Sequence, residues 1–481
     1  MSGPPSPVRK RVVLAGASGF VGRALTANLR PDHDVIALTR GTSLEGTGVT
    51  TRSCDLFNLK EAEAALADAD AAFYLVHSMM PSARLTQGTF DDMDLICADN
   101  FARAAKKNDV GHVTYLGGLL PPHDGTSLSR HLESRLEVEK TLGAYGTPVT
   151  TLRAGLVVGA GGSSFEMMTR LVGRLPVMVG PRWLRSMTQA VALPDVVALL
   201  RFAFDHPELA GKAYDVGGPD VLSYADMLRV TGEVLGKRTR ILTLPVRSVN
   251  LSLLWVSVIT GASRELVRPL TESLQHDLVA RDGLVLQKLA RLHATPLRAS
   301  ITQALEEEES TRRERERART RDTSPAPSRA LAAPPKPARL SRVRSVQRLP
   351  LPPGKSARWV AHEYTRWLPT FLAPFLRVEV DATESCRFFL WPVRRPLLVL
   401  TYAPDRSADD RQLFYVTDGL LARQVPNTRP RLEFRSVLGG RFVLAAIHDF
   451  VPRLPWFIYV FTQALVHLLV MRRFGRHLER C

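Results

Sequence analysis

The sequence predicts an α/β chain. A doubly wound parallel sheet with a helix-rich C-terminal cap comes first, followed by a disordered linker and a separate α+β domain with an antiparallel sheet and a long C-terminal helix. Three observations carry this expectation. From Val12 to about Leu156, short β-branched or apolar runs alternate with segments of 3.6-residue apolar period. A charge- and proline-rich stretch interrupts the chain after residue 305. Beyond Arg358, strand-like runs follow one another across short turns. A length of 481 residues predicts more than one domain, and 45% apolar with 23% charged residues excludes collagen, a wholly disordered chain and a disulfide scaffold.

In the first domain, placed at residues 10–305, RVVLAGASG, HDVIALTR, AAFYLVHS, HVTYLGGL and TLRAGLVVG read as strands. AEAALADAD, ICADNFARAAKK and LESRLEVEKTLGAYG read as the helices between them. Strands that alternate with helices require crossovers, hence a parallel sheet covered on both faces. From about 159 to 305 the chain is richer in helix and reads as a cap on the substrate side, with a Met- and Leu-rich segment from Phe165 to Trp183.

The net charge of +17 is unevenly spread, because Ser310 to Arg348 holds 12 basic and 3 acidic residues, a net of +9. Residues 306–356 therefore read as a helix end running into a basic, Pro-rich linker that buries too little apolar area to offset its chain entropy. No aromatic residue interrupts the basic run to stack on bases, so nucleic acid is not the expected partner. The linker and the terminal helix are the candidates for peripheral membrane contact. Cys54, Cys97, Cys386 and Cys481 show no ligand spacing, so no metal site is expected and a reducing compartment is. The first residues lack the apolar run of a signal peptide, and the expected location is cytoplasmic, with membrane association as the variant.

The third domain, residues 357–481, has no role legible in the sequence. Its final segment from Trp456 has about 16 mainly apolar residues before Arg472, short of the ~20 that span a bilayer, and Leu251–Ala262 is shorter still. His448 and Asp449 are adjacent in a strand and so point to opposite faces, which argues against joint catalysis.

The most informative motif is VVLAGASGFVGRAL, a strand followed by Gly16, Gly19 and Gly22 and then an amphipathic helix. Gly16 lets the chain turn off the strand, Gly19 lets amides approach a pyrophosphate, and Gly22 lets the helix sit close to the sheet. The second strand ends in Thr39-Arg40 where an NAD-preferring fold would place an acid, so NADP(H) is favoured, with NAD(H) as the alternative. Asp55 either accepts from an adenine amino group or caps the following helix.

GASGFVG, the Thr39-Arg40 strand end, CDL, YLVHSM, YLGGL and LRAGLVVG together resemble the atypical short-chain dehydrogenase/reductases, and among them the NmrA-like NAD(P)H-binding group, whose relatives include the NAD(P)-binding accessory subunit of respiratory complex I. The resemblance covers about Val12 to Arg240. It implies a Rossmann domain whose cofactor contacts fall on Gly16, Ser18, Gly19, Phe20, Gly22, Thr39, Arg40, Asp55, Leu56, Leu75, Val76 and His77.

The usual catalytic pair of that group, a Tyr with Lys four residues on, is missing: no tyrosine here has Lys at that spacing. The corresponding helix, SRHLESRLEVEK, places His131 and Arg135 there, and the usual serine becomes Gly117 or Gly118. His131, Arg135 and His77 are thus the catalytic candidates, because imidazole titrates near neutrality and a guanidinium can hold a ribose or phosphate. The expected activity is an oxidoreductase acting on a small apolar carbonyl or isoprenoid-like substrate. The alternative is a non-catalytic NADP(H)-binding redox sensor or an assembly and scaffold protein.

Overall fold

The computed structural model describes residues 9–40, 49–77, 85–122, 128–175, 177–243, 272–321, 343–371, 373–426 and 428–481. The Leu251–Ala262 segment lies outside them. The chain divides into two compact units, Met1–Met79 with Asn100–Ser328, and Met80–Asp99 with Arg329–Cys481.

In the first unit the elements run β1 (Arg11–Ala15), α1 (Phe20–Leu29), β2 (Asp34–Thr39), β3 (Thr50–Ser53), α2 (Leu59–Ala65) and β4 (Ala71–Tyr74). After β5 (Leu85–Gln87), which belongs to the second unit, and α3 (Phe90–Lys107), which crosses the boundary between units, come β6 (His112–Gly118), α4 (Arg130–Leu142) and β7 (Val149–Ala154). The cap-side elements are β8 (Val157–Val158), α5 (Ser163–Arg174), β9 (Val177–Gly180), β10 (Met187–Thr188), β11 (Val191–Ala192), α6 (Leu193–Asp205), β12 (Ala213–Val216), β13 (Leu222–Ser223), α7 (Tyr224–Val234), β14 (Arg240–Thr243), α8 (Val285–Leu289) and α9 (Leu297–Arg321).

Seven strands form a parallel sheet in the order β12-β7-β6-β4-β1-β2-β3. β1 and β2 are buried at every residue but the first, which is why each reads as a continuous apolar run rather than an alternation. Strand order reverses between β1 and β4, so the crevice at their C-terminal ends is where an open sheet of this kind takes a ligand. The expected strands are all present, and AYDVGG supplies the seventh. In the segment from Phe165 to Trp183, Phe165, Met168, Leu171, Met178 and Trp183 are buried in the cap's own core with Tyr224 and Leu228.

The second unit comprises β5, the start of α3, β15 (Val343–Pro350), α10 (Ala357–Phe371), β16 (Leu376–Val380), β17 (Cys386–Leu390), β18 (Leu398–Tyr402), β19 (Arg411–Asp418), β20 (Arg431–Val437), β21 (Phe442–Phe450), α11 (Trp456–Phe461) and α12 (Gln463–Leu478). Its eight-stranded sheet has the order β16-β17-β18-β19-β20-β21-β15-β5, antiparallel except for the β15–β5 pair. The expected antiparallel sheet and terminal helix are therefore present. α10, α11 and α12 close one core with the sheet, around Val360, Tyr364, Phe388, Phe434 and Phe474.

The linker expected at 306–356 is corrected at both ends, while 322–342 lies outside the described residues. At its start α9 runs on to Arg321, supported by Arg313–Glu309 and Arg312–Glu316 pairs one helical turn apart. At its end β15 sits between β21 and β5, with Val343, Val346 and Leu349 buried. The basic composition hid this strand because its apolar residues are sparse and its Arg348 is neutralised by Asp92, 2.7 Å away.

A buried charge network crosses the second unit. Glu433 takes Arg411 at 2.7 Å and Arg435 through its Nε at 2.7 Å, while Arg435 Nη1 reaches Asp99 at 2.6 Å. The two arginines hold the Glu433 carboxyl well below its usual range against the opposing pull of burial. His448 lies 3.5 Å from Glu433 and burial pushes its pKa down to about 4, whereas Asp449 pairs with Arg431 at 3.2 Å. The two neighbours do point to different partners.

By length and composition, Trp456–Leu478 is the one stretch among the described residues long and apolar enough to cross a membrane. It is not one continuous helix: Thr462, at φ −124° and ψ −85°, separates α11 from α12. One face of α12 enters the core through Val470, Met471, Phe474 and Leu478. The stretch also leaves Phe457, Phe461, Leu465 and Leu469 exposed.

Candidate functional site

The turn after β1 is built as its glycines require. Gly16 has φ +91°, and a Cβ there would lie 2.8 Å from the Leu75 carbonyl oxygen at the end of β4. A Cβ on Gly22 would collide with the Gly16 carbonyl, so only glycine lets α1 approach β1 this closely. Gly19 donates its N–H to Gly16 O at 2.9 Å and opens α1 as its N-cap. No side chain caps this helix and no acid stands in its first turn, so its leading amides and positive end are left for an anion. Ser18 and Gly19 are exposed beside them. The Phe20 ring packs where Cβ atoms on Gly159 or Gly162 would come within 3.1 Å, a requirement on those two glycines that no local pattern announced.

Thr39 is buried at the end of β2, and the neighbouring Arg40 is exposed with no ion-pair partner among the described residues. Asp55 does not cap α2. That role belongs to Asn58, whose side chain accepts from Lys60 N at 3.2 Å, while Asp55 accepts from Phe57 N at 3.2 Å and donates its own N–H to Glu61 at 2.8 Å. Leu56 is buried, with its carbonyl accepting from Asn100 at 2.8 Å. Leu75, Val76 and His77 leave β4 half-buried, with Leu75 N bonded to Ala15 O at 2.9 Å.

The three catalytic candidates come together at these strand ends. The His77 and His131 rings are 5.0 Å apart, and Arg135, one helical turn on from His131, donates to the Val76 carbonyl at 3.5 Å. Arg135 is itself buried and donates through Nε and Nη2 to Tyr115 Oη at 3.0 and 2.8 Å, while that hydroxyl donates to the Arg135 carbonyl at 3.2 Å. Tyr115 was not among the sequence candidates, because the search was for Tyr and Lys on one helix. Here a strand tyrosine meets a helix arginine. A Cβ on Gly117 would press on the Tyr115 ring at 3.0 Å, which accounts for glycine at the usual serine position.

Two further residues are structural. Arg153 is held bidentate by Glu139 at 2.9 and 2.6 Å, and Asp195 accepts from Thr295 N and Oγ1 at 2.7 and 3.0 Å rather than capping α6. One trio of ligand-type atoms, from Glu363, His477 and Cys481, lies within 4.8 Å among the described residues, and its Glu363–His477 pair is already hydrogen-bonded at 2.8 Å.

The profile of the NmrA-like family matches residues 8–264, more than half of the chain. The chain belongs to the NmrA-like family. The matched residues include the whole seven-stranded parallel sheet, a Rossmann-type arrangement. A curated relative, the auxiliary protein GraX of Staphylococcus aureus, is 32% identical over 147 residues, which are 30% of this chain and 44% of that relative. The match thus spans less than half the relative's length. Among solved structures, an NADPH-dependent quinone oxidoreductase of Escherichia coli in complex with NADPH is 18% identical, with a TM-score of 0.49 over 60% of this chain and 98% of its own. A triphenylmethane reductase of Citrobacter sp. with NADP(H) is 17% identical, with a TM-score of 0.47 over 61% and 99%.

Proposed function

We propose that the NmrA-like unit is an NADP(H)-dependent reductase of a small, uncharged carbonyl compound. The observation that carries this reading is the uncapped, acid-free N-terminus of α1 behind a turn that tolerates no side chain at Gly16 or Gly22. Arg40 is the group for a 2′-phosphate, since its guanidinium is exposed where an acid would repel that charge. Bound NADPH supplies a hydride. Arg135, fixed by Tyr115, positions the ribose side of the crevice, and His131 beside His77 holds the proton for the carbonyl oxygen. The test is stereospecific transfer of deuterium from labelled NADPH to members of a carbonyl and quinone panel, lost on His131→Ala with calorimetric NADPH binding retained. Tight NADPH binding with no transfer to any member would support the second reading, a redox sensor or scaffold, which the missing Tyr/Lys helix pair favours.

For the second unit we propose peripheral contact with an anionic bilayer. Along α12 the exposed apolar residues Leu465 and Leu469 are continued at helical spacing by exposed Arg472 and Arg476, a face suited to the headgroup boundary.

A further inference from the structure

The second unit has a half-open cavity of about 200 Å³ between the sheet, α10 and α12. Its wall is made of apolar side chains such as Leu368, Phe388, Val416 and Leu432, and no Lys, Arg, Asp or Glu lines it. For scale, an engineered dry cavity of ~150 Å³ takes benzene, so this space suits a chain of roughly eight to ten carbons. Apolar surface left uncovered over such a space gains stability when an apolar occupant fills it.

Gln87, Ser345, Gln463 and His467 also line the cavity. Gln87 is 8% exposed, and its Nε2 donates to the Ala464 carbonyl at 2.9 Å, which fixes the amide orientation because the reverse would set two oxygens together. Its Oε1 is buried and accepts no hydrogen bond, and the same holds for Gln463 Oε1. His467 is hydrogen-bonded through Nε2 to Ser345 Oγ at 3.1 Å, and burial pushes its pKa down to about 4, so it is neutral at physiological pH and cannot balance an anion. Gln87 Oε1 is thus a buried acceptor without a donor, and Tyr364 and Tyr459 bring hydroxyl groups but no cation to the same wall. Such an acceptor in a wall without charge calls for a ligand that donates one hydrogen bond and carries no charge.

We propose that this cavity is a binding site for an uncharged medium-chain or isoprenoid-sized alcohol, whose hydroxyl donates to Gln87 Oε1 and whose hydrocarbon fills the space between α10, α12 and the sheet. A carboxylate of the same length is disfavoured, because it would bring a charge to a wall with no cation to balance it. The proposal does not depend on the dinucleotide reading of the first unit.

Calorimetric titration of the full chain with 1-octanol and with octanoate at pH 7.5 tests it. One site for 1-octanol, with octanoate at least about 100-fold weaker, is the expected result. Leu398→Trp, which fills the cavity, is expected to abolish octanol binding while keeping the melting temperature at or above that of the parent. Gln87→Leu is expected to weaken octanol binding by about tenfold. Octanoate binding as tightly as octanol, octanol binding that survives Leu398→Trp in the folded protein, or no binding of either compound would each overturn the proposal.

Discussion

Arg435 Nη1 stands 2.6 Å from Asp99 Oδ2, with 336 residues of chain between them and both side chains no more than 2% exposed. Asp99 thereby ties the middle of α3 to β20 within the second unit. Asp99→Ala removes one of the two carboxylates that hold buried Arg435, which keeps Glu433, so the loss of the charge-assisted hydrogen bond is expected to destabilise this unit by about 1.5–3 kcal/mol. Replacing both partners, as Asp99→Leu with Arg435→Leu, is expected to cost more, because buried Glu433 then keeps only Arg411 as a close guanidinium partner. Urea denaturation of the two variants reads the difference.

At the dinucleotide turn, Gly22→Ala drives a methyl into the Gly16 carbonyl. Overpacking of this kind costs ~1–3 kcal/mol, so NADPH affinity is expected to fall by about 5- to 150-fold as α1 is pushed off β1. Circular dichroism should be unchanged, and calorimetry gives the affinity.

Arg40→Ala separates the two coenzymes. Loss of charge-assisted hydrogen bonds of ~1.5–3 kcal/mol is expected to weaken NADPH by about 10- to 150-fold and to leave NADH unchanged. Equal losses for both nucleotides would place the 2′-phosphate elsewhere.

Acid should weaken the second unit through its buried histidines. His448 and His467 are each held at about 4 by burial, below the ordinary 6.5. Between those values the unfolded chain takes up protons that the folded chain refuses. Stability is therefore full above pH 6.5 and falls as pH drops toward 4. Melting temperatures measured from pH 7.5 to 4.5 should show this decline, with a shallower slope in His448→Gln.

The exposed face of the terminal helix predicts co-sedimentation of the full chain with vesicles containing phosphatidylserine, weakened by salt. Charge reversal at Arg472, Arg473 and Arg476 should release the protein, with folding unaffected because all three are exposed.

Much of the first unit was legible because its signals are local. Continuous apolar runs mark strands covered on both faces, and Gly19 and Gly22 answer steric demands set by Gly16 within seven residues. His77, His131 and Arg135 could be placed near one another because topology alone gathers strand ends. What escaped was non-local. Tyr115 meets Arg135 across 20 residues with no helical spacing to mark it. β15 lay inside a run whose average composition was that of a solvated chain, and its burial depends on partners such as Asp92, 256 residues away. The cavity in the second unit was equally invisible, since packing defects have no signature in apolar periodicity.

The pairing of Leu85–Gln87 with Val343–Ser345 carries a consequence for how the protein is made. During translation the early strand leaves the ribosome some 250 residues before its partner exists, and an unpaired edge is a template for wrong neighbours. A gene fragment beginning near residue 352 would lack both of those strands, and one ending before residue 343 would strand the other. Neither half can be expected to reach its native form from a split gene.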